Sequence, residues 1–230
     1  ELPKKLIACL HRKMHTSHEI TPIAGSELSA LEKTIILLRA QTGHDFSLYK
    51  KNTLFRRIER RMSIHQIGNT ATYVRYLQKN EQELELLFKE LLIGVTNFFR
   101  DKPVWELLRT KTIPMLLHRS PPQRVLRAWV AGCSSGEEAY SLAIVFKEAL
   151  EDAKIFNITL QIFATDLDPD AIDRARLGFF PSNIEADLSA SRLQRFFIKQ
   201  KDGYRICKEI RQMVIFAQQN LTMDAPFTKL

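Results

Sequence analysis

The chain has 230 residues, of which 45% are hydrophobic and 26% charged, which is the composition of an ordinary soluble globular protein with one large domain or two small ones. No apolar run in this sequence reaches the length of a membrane span. The formal net charge of +8 indicates an acidic partner, either nucleic acid or an acidic protein surface, and charge does not choose between them.

The cysteines and the amino terminus bear on the compartment. Cys9, Cys133 and Cys207 are far apart in the sequence and lack metal-ligand spacing, so we expect reduced thiols. The amino terminus also lacks the pattern of a signal peptide. Both features predict a cytoplasmic protein.

Residues 1–25 are predicted to be a linker with at most one short helix. His11, His15 and His18 have spacings that would place them on one helix face, which would suit a metal ion. Glu19 is the only carboxylate beside them, and the surrounding residues are polar. We therefore favour a solvated linker and predict no metal site.

Residues 26–98 are predicted to form an all-helical domain. Apolar residues recur at helical spacing through this block, as in Leu54, Ile58 and Met62. About four helices are expected, near residues 26–43, 50–66, 70–78 and 82–93.

The second of these helices is strongly basic. Between Lys50 and Arg61 it carries six cations against one acid, Glu59. The ordinary interpretation is a solvated face, because arginine is a good helix former. The alternative is a surface that docks an acidic partner. Its candidate residues are Arg56, Arg57, Arg60 and Arg61.

Residues 99–230 are predicted to form an α/β domain. A break at residues 94–101 is followed by a helix near 104–117, and strands then alternate with helices. We expect strands at 124–131, 159–164 and 213–217, and helices at 136–151 and 170–176. This order implies parallel strands and right-handed crossovers, as in a Rossmann-like fold. Three strands are few for such a sheet, so we expect a domain that is cut short.

Residues 177–212 depart from the alternation. A short helix at 189–196 and two strand-like runs are predicted there, and Asp202-Gly203 between the runs is a hairpin signal. We expect a small inserted α/β subdomain.

The stretch that carries the most chemistry is RVLRAWVAGCSSGEEAY, residues 124–140. A buried strand, a glycine turn and a helix amino terminus together favour a nucleotide-like ligand, because glycines such as Gly132 let the backbone approach it. Asp166 ends the next strand, where a carboxylate can accept ribose hydroxyls. Capping of the following helix is the alternative role, and we assign it to Asp168.

Two acidic residues, Glu137 and Glu138, lie where a dinucleotide site would open to pyrophosphate. A carboxylate is favourable in a first helical turn whatever its function. Even so, this pair would repel a phosphate and suits hydroxyls or an ammonium. S-adenosylmethionine has both and carries no phosphate, so the site favours it over NAD.

The sequence motifs resemble the CheR-type chemotaxis-receptor glutamate O-methyltransferases over roughly residues 27–230. The matching segments are LLIGVTNFFRD (91–101), AGCSSGEEAYSLA (131–143), ATDLDPDAIDRARLGFF (164–180) and QNL (219–221). The stretch TGHDFSLYKKNTLFRRIERRM and the ELPKKL lead-in look most like the form fused behind a CheB-type methylesterase domain. On that view residues 1–25 are a remnant of the esterase end.

The resemblance implies S-adenosylmethionine as cofactor and a set of residues that contact it. Family members often have Asn at the position of Gly94, where this chain offers only backbone, and Arg100 is the residue placed closest to catalysis. The implied contacts are Gly94, Thr96, Arg100, Glu138, Asp166, Asn220 and Leu221, to which the glycine turn adds Gly132. From the residues alone, Arg100 and its neighbouring phenylalanines could equally serve inter-domain packing.

The implied reaction is methyl transfer to receptor glutamates, which forms γ-methyl esters. The basic second helix then faces the acidic methylation region of a methyl-accepting chemotaxis receptor, and the protein meets the membrane only through that receptor. The hairpin turn looks short for binding a receptor pentapeptide. Two alternatives stay open: a signalling module that binds cofactor or receptor without turnover, and a nucleic-acid partner. The second is disfavoured because the aromatic residues are not interleaved with the basic helix as stacking platforms would be.

Overall fold

The computed structural model describes residues 25–92, 94, 96–119, 125–155 and 157–228. Two compact units divide between Leu91 and Leu92. We expected the boundary at residue 98; it falls earlier because Phe98 packs against Phe180 and Phe197 of the second unit. The three histidines of the predicted linker lie outside the described residues.

The first unit consists of helices, as predicted. Its apolar stripe on the second helix, Leu54, Ile58 and Met62, is buried. The third helix begins at an Asn69 side chain that accepts the Thr72 N–H at 2.8 Å. The helices are α1 (Gly25–Thr42), α2 (Lys51–Ile64), α3 (Thr70–Leu77) and α4 (Glu81–Leu91).

A buried carboxylate joins three helices of this unit. Glu83 on α4 is 3% exposed and accepts two hydrogen bonds from Arg61 on α2, at 2.9 and 2.6 Å. Tyr73 on α3 donates to it at 2.8 Å, and His65 Nε2 lies 2.7 Å away. Burial alone would raise the pKa of Glu83, but these partners together lower it below its ordinary value of 4.5.

We expect Glu83→Gln to lower the free energy of unfolding by about 3 kcal/mol at neutral pH, because it leaves Arg61 unpaired and mostly buried. A lowered folded pKa means that the ionised carboxylate stabilises the protein above pH 4.5 and loses this effect as pH falls through the folded pKa. The difference between wild type and variant should therefore shrink as the pH falls below 4.5 and through the lowered pKa of Glu83. Urea unfolding followed by circular dichroism measures it.

Glu85→Gln is the matched control on the same helix. Glu85 is exposed and lies 3.8 Å from Lys89, so its loss should change the free energy of unfolding by less than about 0.5 kcal/mol. Equal effects of the two substitutions would contradict the structural role of Glu83.

The second unit begins with a distorted helical stretch. The predicted helix at 104–117 is present as α5 (Lys102–Leu107) and α6 (Ile113–Arg119), with a π-helical turn between them at Leu108–Thr112. Apolar spacing predicted the helical segment but carries no signal for the change in hydrogen-bond pattern.

A three-stranded parallel sheet forms the centre of the second unit, as predicted for a Rossmann-like fold. Its strands are β1 (Val125–Ala131), β2 (Thr159–Asp166) and β6 (Val214–Gln218), in the order β1-β2-β6. Helices α7 (Glu137–Asp152) and α8 (Pro169–Leu177) provide the crossovers and pack against it. Val130, Ala164 and Phe216 lie side by side in register and are buried.

The inserted subdomain contains the predicted hairpin and helix. It also has a third strand that was not predicted, β3, which consists of Phe179, Phe180 and Pro181 only. A Cβ at Gly203 would lie 2.1 Å from the Phe180 carbonyl oxygen, so this close pairing requires glycine. The other elements are a 3₁₀ turn (Ser182–Ala186), α9 (Ala190–Phe196), β4 (Phe197–Gln200), β5 (Gly203–Ile206) and α10 (Lys208–Arg211), with antiparallel order β3-β5-β4.

Among the residues that the structure describes, no helix has the length and apolar character needed to cross a membrane.

Candidate functional site

The candidate site lies where the three parallel strands end. Ala131 pairs with Thr165, and Asp166 pairs with Gln218, so the carboxyl ends of β1, β2 and β6 meet at one edge of the sheet. Ligands of open α/β sheets bind at this edge. The structure brings five predicted residues to it: Gly132, Glu138, Asp166, Asn220 and Leu221.

The glycine turn after β1 has an unusual backbone. Gly132, Ser134 and Gly136 all have positive φ, at 72°, 48° and 96°. The N–H groups of Gly132 and Cys133 both donate to the Thr165 carbonyl, at 2.8 and 2.9 Å. At Ser134, a left-handed conformation costs on the order of 1–3 kcal/mol, which the surrounding structure must offset.

Asp166 provides part of the stabilisation that offsets the left-handed conformation of Ser134. Its Oδ2 accepts the Ser134 N–H at 2.7 Å, and its Oδ1 accepts the Asp168 N–H at 2.9 Å. Asp168 in turn caps α8 by accepting the Asp170 N–H at 2.9 Å, so the predicted capping role of Asp168 is confirmed. Asp166 thus ties the glycine turn to the end of β2.

The two acidic residues at the start of α7 lie in different environments. Glu137 is half-buried, accepts the Ser135 hydroxyl at 2.9 Å, and has a pKa raised above its ordinary value because burial disfavours its charge. Glu138 is exposed and has no hydrogen-bond or ion-pair partner among the described side chains. Of these two glutamates, only Glu138 can therefore contact a ligand without first breaking an internal hydrogen bond.

Gly94 lies beside the glycine turn. A Cβ at Gly94 would lie 2.8 Å from Ser134 Oγ, so Gly94 packs directly against the Ser134 side chain. Thr96 is half-buried, and Asn97 donates to Asp187 at 3.3 Å. Gly94 therefore contacts the glycine turn, whereas Asn97 contacts the inserted subdomain.

The backbone on both sides of Arg100 is fixed. The Phe99 N–H donates to Ser141 Oγ at 3.1 Å, and the Trp105 indole donates to the Arg100 carbonyl at 2.6 Å. Phe99 and Asp101 both have left-handed φ, at 50° and 58°. The exposed Arg100 side chain therefore projects from a strained and firmly held turn.

Ser141 and Trp105 were not singled out by sequence reasoning. Ser141 is fully buried on α7 and donates to the Glu137 carbonyl at 2.7 Å. A lone polar residue inside the apolar stretch AYSLAIVF was a signal that could have found it. Trp105 offered no comparable signal.

The residues at the strand edge fit S-adenosylmethionine better than a phosphate-bearing ligand. Glu138 and Asp166 are hydrogen-bond acceptors, and the buried Gln219 Oε1 is a further acceptor with no partner in the described part of the chain. Gln219 also follows β6 directly and donates its N–H to the Asp166 carbonyl at 2.9 Å. Such acceptors match hydroxyl and amino groups and would repel pyrophosphate.

Two family models match the chain. The model described as "CheR methyltransferase, all-alpha domain" covers residues 29–92, and the one described as "CheR methyltransferase, SAM binding domain" covers residues 94–230. Their division agrees with the division between the two compact units.

Curated relatives agree with the family models. The chain is 31% identical to a chemotaxis protein methyltransferase of Listeria innocua, over 82% of this chain and 69% of that protein. It is 32% identical to chemotaxis protein methyltransferase 2 of Pseudomonas aeruginosa, over 78% of this chain and 63% of that protein.

A more similar relative is much longer. The chain is 42% identical to an uncharacterised 104.1 kDa protein of Rhodobacter capsulatus, over 87% of this chain but only 21% of that protein. The matched region is thus about a fifth of that relative. A fused methylesterase domain stays a prediction. The helical unit, the parallel sheet and the two matching models together show that the chain belongs to the CheR methyltransferase family, with S-adenosylmethionine as the cofactor of its second unit.

Proposed function

We propose that this protein transfers the methyl group of S-adenosylmethionine to glutamate side chains of methyl-accepting chemotaxis receptors. The observation that carries the proposal is the acceptor-rich edge of the sheet beside the firmly held Arg100 turn. The names of the Listeria and Pseudomonas relatives support a role in chemotaxis.

The chain offers distinct groups to each part of the cofactor. Asp166 would accept the ribose hydroxyls, Glu138 would accept a hydroxyl or the ammonium group, and Arg100 would pair with the carboxylate, for which its planar fork is suited. The remaining proposed contacts are the backbone of Gly94 and Gly132, and Thr96, Asn220 and Leu221. When bound, the cofactor supplies an electrophilic methyl group.

This reaction requires little acid–base catalysis by the protein. A glutamate side chain has an ordinary pKa of about 4.3, so the attacking carboxylate is ionised at neutral pH. Catalysis then depends on holding the two reactants in line and on excluding water. We assign this positioning to Arg100, which would hold the cofactor by its carboxylate from a backbone that is fixed at Phe99 and by Trp105.

A transfer assay with receptor-containing membranes and labelled cofactor tests the proposal. Methyl esters of carboxylates hydrolyse in base, so the label should leave the receptor as volatile methanol after alkali treatment. Base-stable label would contradict glutamate methylation. Binding of S-adenosylhomocysteine with no transfer would favour the signalling module.

Asp166→Ala should weaken S-adenosylhomocysteine binding by about tenfold or more, because it removes a charged acceptor for the ribose. Isothermal titration calorimetry measures the affinity. Asp168→Ala is the control: it removes the α8 cap at a cost of about 1 kcal/mol in stability and should leave the affinity near wild type. An Asp166→Ala affinity within about twofold of wild type would mean that Asp166 serves only the turn.

The basic helix α2 divides into an inner and an outer pair of arginines. Arg61 is held by Glu83, and Arg57 lies 3.4 Å from Glu90 with 16% of its side chain exposed. Arg60 is 62% exposed, although it also reaches Glu90 at 3.1 Å, and Arg56 is exposed. The outer pair, Arg56 and Arg60, is the better receptor-binding candidate, whereas Arg57 and Arg61 have internal structural contacts.

Reversing both outer charges, with Arg56→Glu and Arg60→Glu, should leave S-adenosylhomocysteine affinity unchanged and lower receptor methylation by about tenfold or more. The ratio of kcat/KM values on receptor membranes measures this. A control with the same change in net charge is Arg75→Glu with Lys79→Glu, two exposed positions of the same unit. Equal losses in the two double variants would point to overall charge and contradict a specific docking surface.

A further inference from the structure

We propose that Arg192, on helix α9 of the inserted subdomain, is a positioning residue for cofactor binding. It contacts Phe99 and thereby holds the backbone turn that presents Arg100. The inference rests on the proposed function, because it takes Arg100 to be a cofactor contact.

The guanidinium of Arg192 is held along one edge by Glu148 and on one face by Phe99. Its Nε and a terminal nitrogen donate to the two carboxylate oxygens of Glu148 on α7, at 2.8 and 2.7 Å. Its Cζ lies over the ring of Phe99, 3.9 Å from the ring centroid. The bidentate pair fixes the plane of the guanidinium, and this orients its face for a cation–π contact. Glu148 is 10% exposed and Arg192 22% exposed, so water competes little for either group.

The backbone conformation of Phe99 requires stabilising contacts. It is 2% exposed and adopts a left-handed φ of 50°, which is unfavourable for a bulky side chain. The Ser141 hydroxyl oxygen accepts its N–H, and its ring makes a T-shaped contact with Trp105, with the ring centroids 5.7 Å apart. Arg192 covers the ring as well. Without this contact, we expect the Phe99 backbone to relax to an ordinary negative φ. This change would reorient the next residue, Arg100.

Arg195 provides a matched control on the same helix. It pairs with Glu151, also on α7, and its Cζ lies 4.6 Å from the ring centroid of Phe196. The kinds of interaction are the same as at Arg192, an ion pair to α7 and a cation–π contact. Phe196, however, belongs to α9 and not to the Arg100 turn.

The test compares Arg192→Lys with Arg195→Lys by calorimetric titration with S-adenosylhomocysteine. Each substitution keeps the charge and removes the planar fork. Arg192→Lys should weaken binding about tenfold, whereas Arg195→Lys should stay within about twofold of wild type. Equal weakening in both variants, or none in Arg192→Lys, overturns the inference.

Hydrogen exchange of the cofactor-free protein supplies a readout that does not depend on ligand. Arg192→Lys should speed amide exchange in the peptide covering residues 97–101, because the Phe99 N–H bond to Ser141 opens more often. Arg195→Lys should leave that peptide unchanged. If Arg192→Lys misfolds, Arg192→Met, which keeps the apolar stem, takes its place with the same expected results. Unchanged exchange in these residues overturns the inference.

A double variant separates this inference from the proposed function. If Arg192 acts through the Arg100 turn, Arg192→Lys should cost little further affinity in an Arg100→Ala background. Fully additive losses overturn the inference while leaving Arg100 as a cofactor contact. An Arg100→Ala protein with wild-type affinity instead contradicts the proposed role of Arg100 itself.

Discussion

The carboxylate of Asp166 is the interaction on which the candidate site depends. By accepting the N–H groups of Ser134 and Asp168, one side chain fixes both the turn after β1 and the chain that leaves β2. Hydrogen bonds to a charged group contribute about 1.5–3 kcal/mol each, enough to offset a left-handed Ser134. A residue expected for ribose binding therefore also shapes the turn, and Glu138 lies where that turn begins α7.

Local pattern predicted most of the fold. Helical spacing identified the helices of the first unit, and the apolar run, glycine turn and Asp-Gly hairpin identified the elements of the second. The exceptions depend on distant contacts. The strand Phe179–Pro181 exists because it pairs with Gly203–Ile206, and Phe98 belongs to the second unit because it packs on Phe180 and Phe197.

The same distinction between local sequence pattern and distant contacts applies to the residues of the candidate site. Motif positions such as Gly132 and Asp166 were predictable as neighbours, because the ends of parallel strands meet. The four arginines of α2 looked equivalent as cations. Arg57 and Arg61, however, each lie three positions after a residue of the apolar stripe, which places them at the edge of the buried helix face. That spacing was readable from the sequence; the carboxylates that receive them, Glu90 and Glu83, were not.

Helix α7 links the two sides of the candidate site. Its first turn carries Glu138, and Ser141 and Glu148 further along lie about two turns apart on one face. Ser141 binds the Phe99 N–H directly, and Glu148 holds the arginine that covers the Phe99 ring. A strained residue persists only when several contacts determine it together. Since both contacts originate on α7, the positions of Arg100 and Glu138 are set by a single rigid element, and the inserted subdomain enters that arrangement through Arg192.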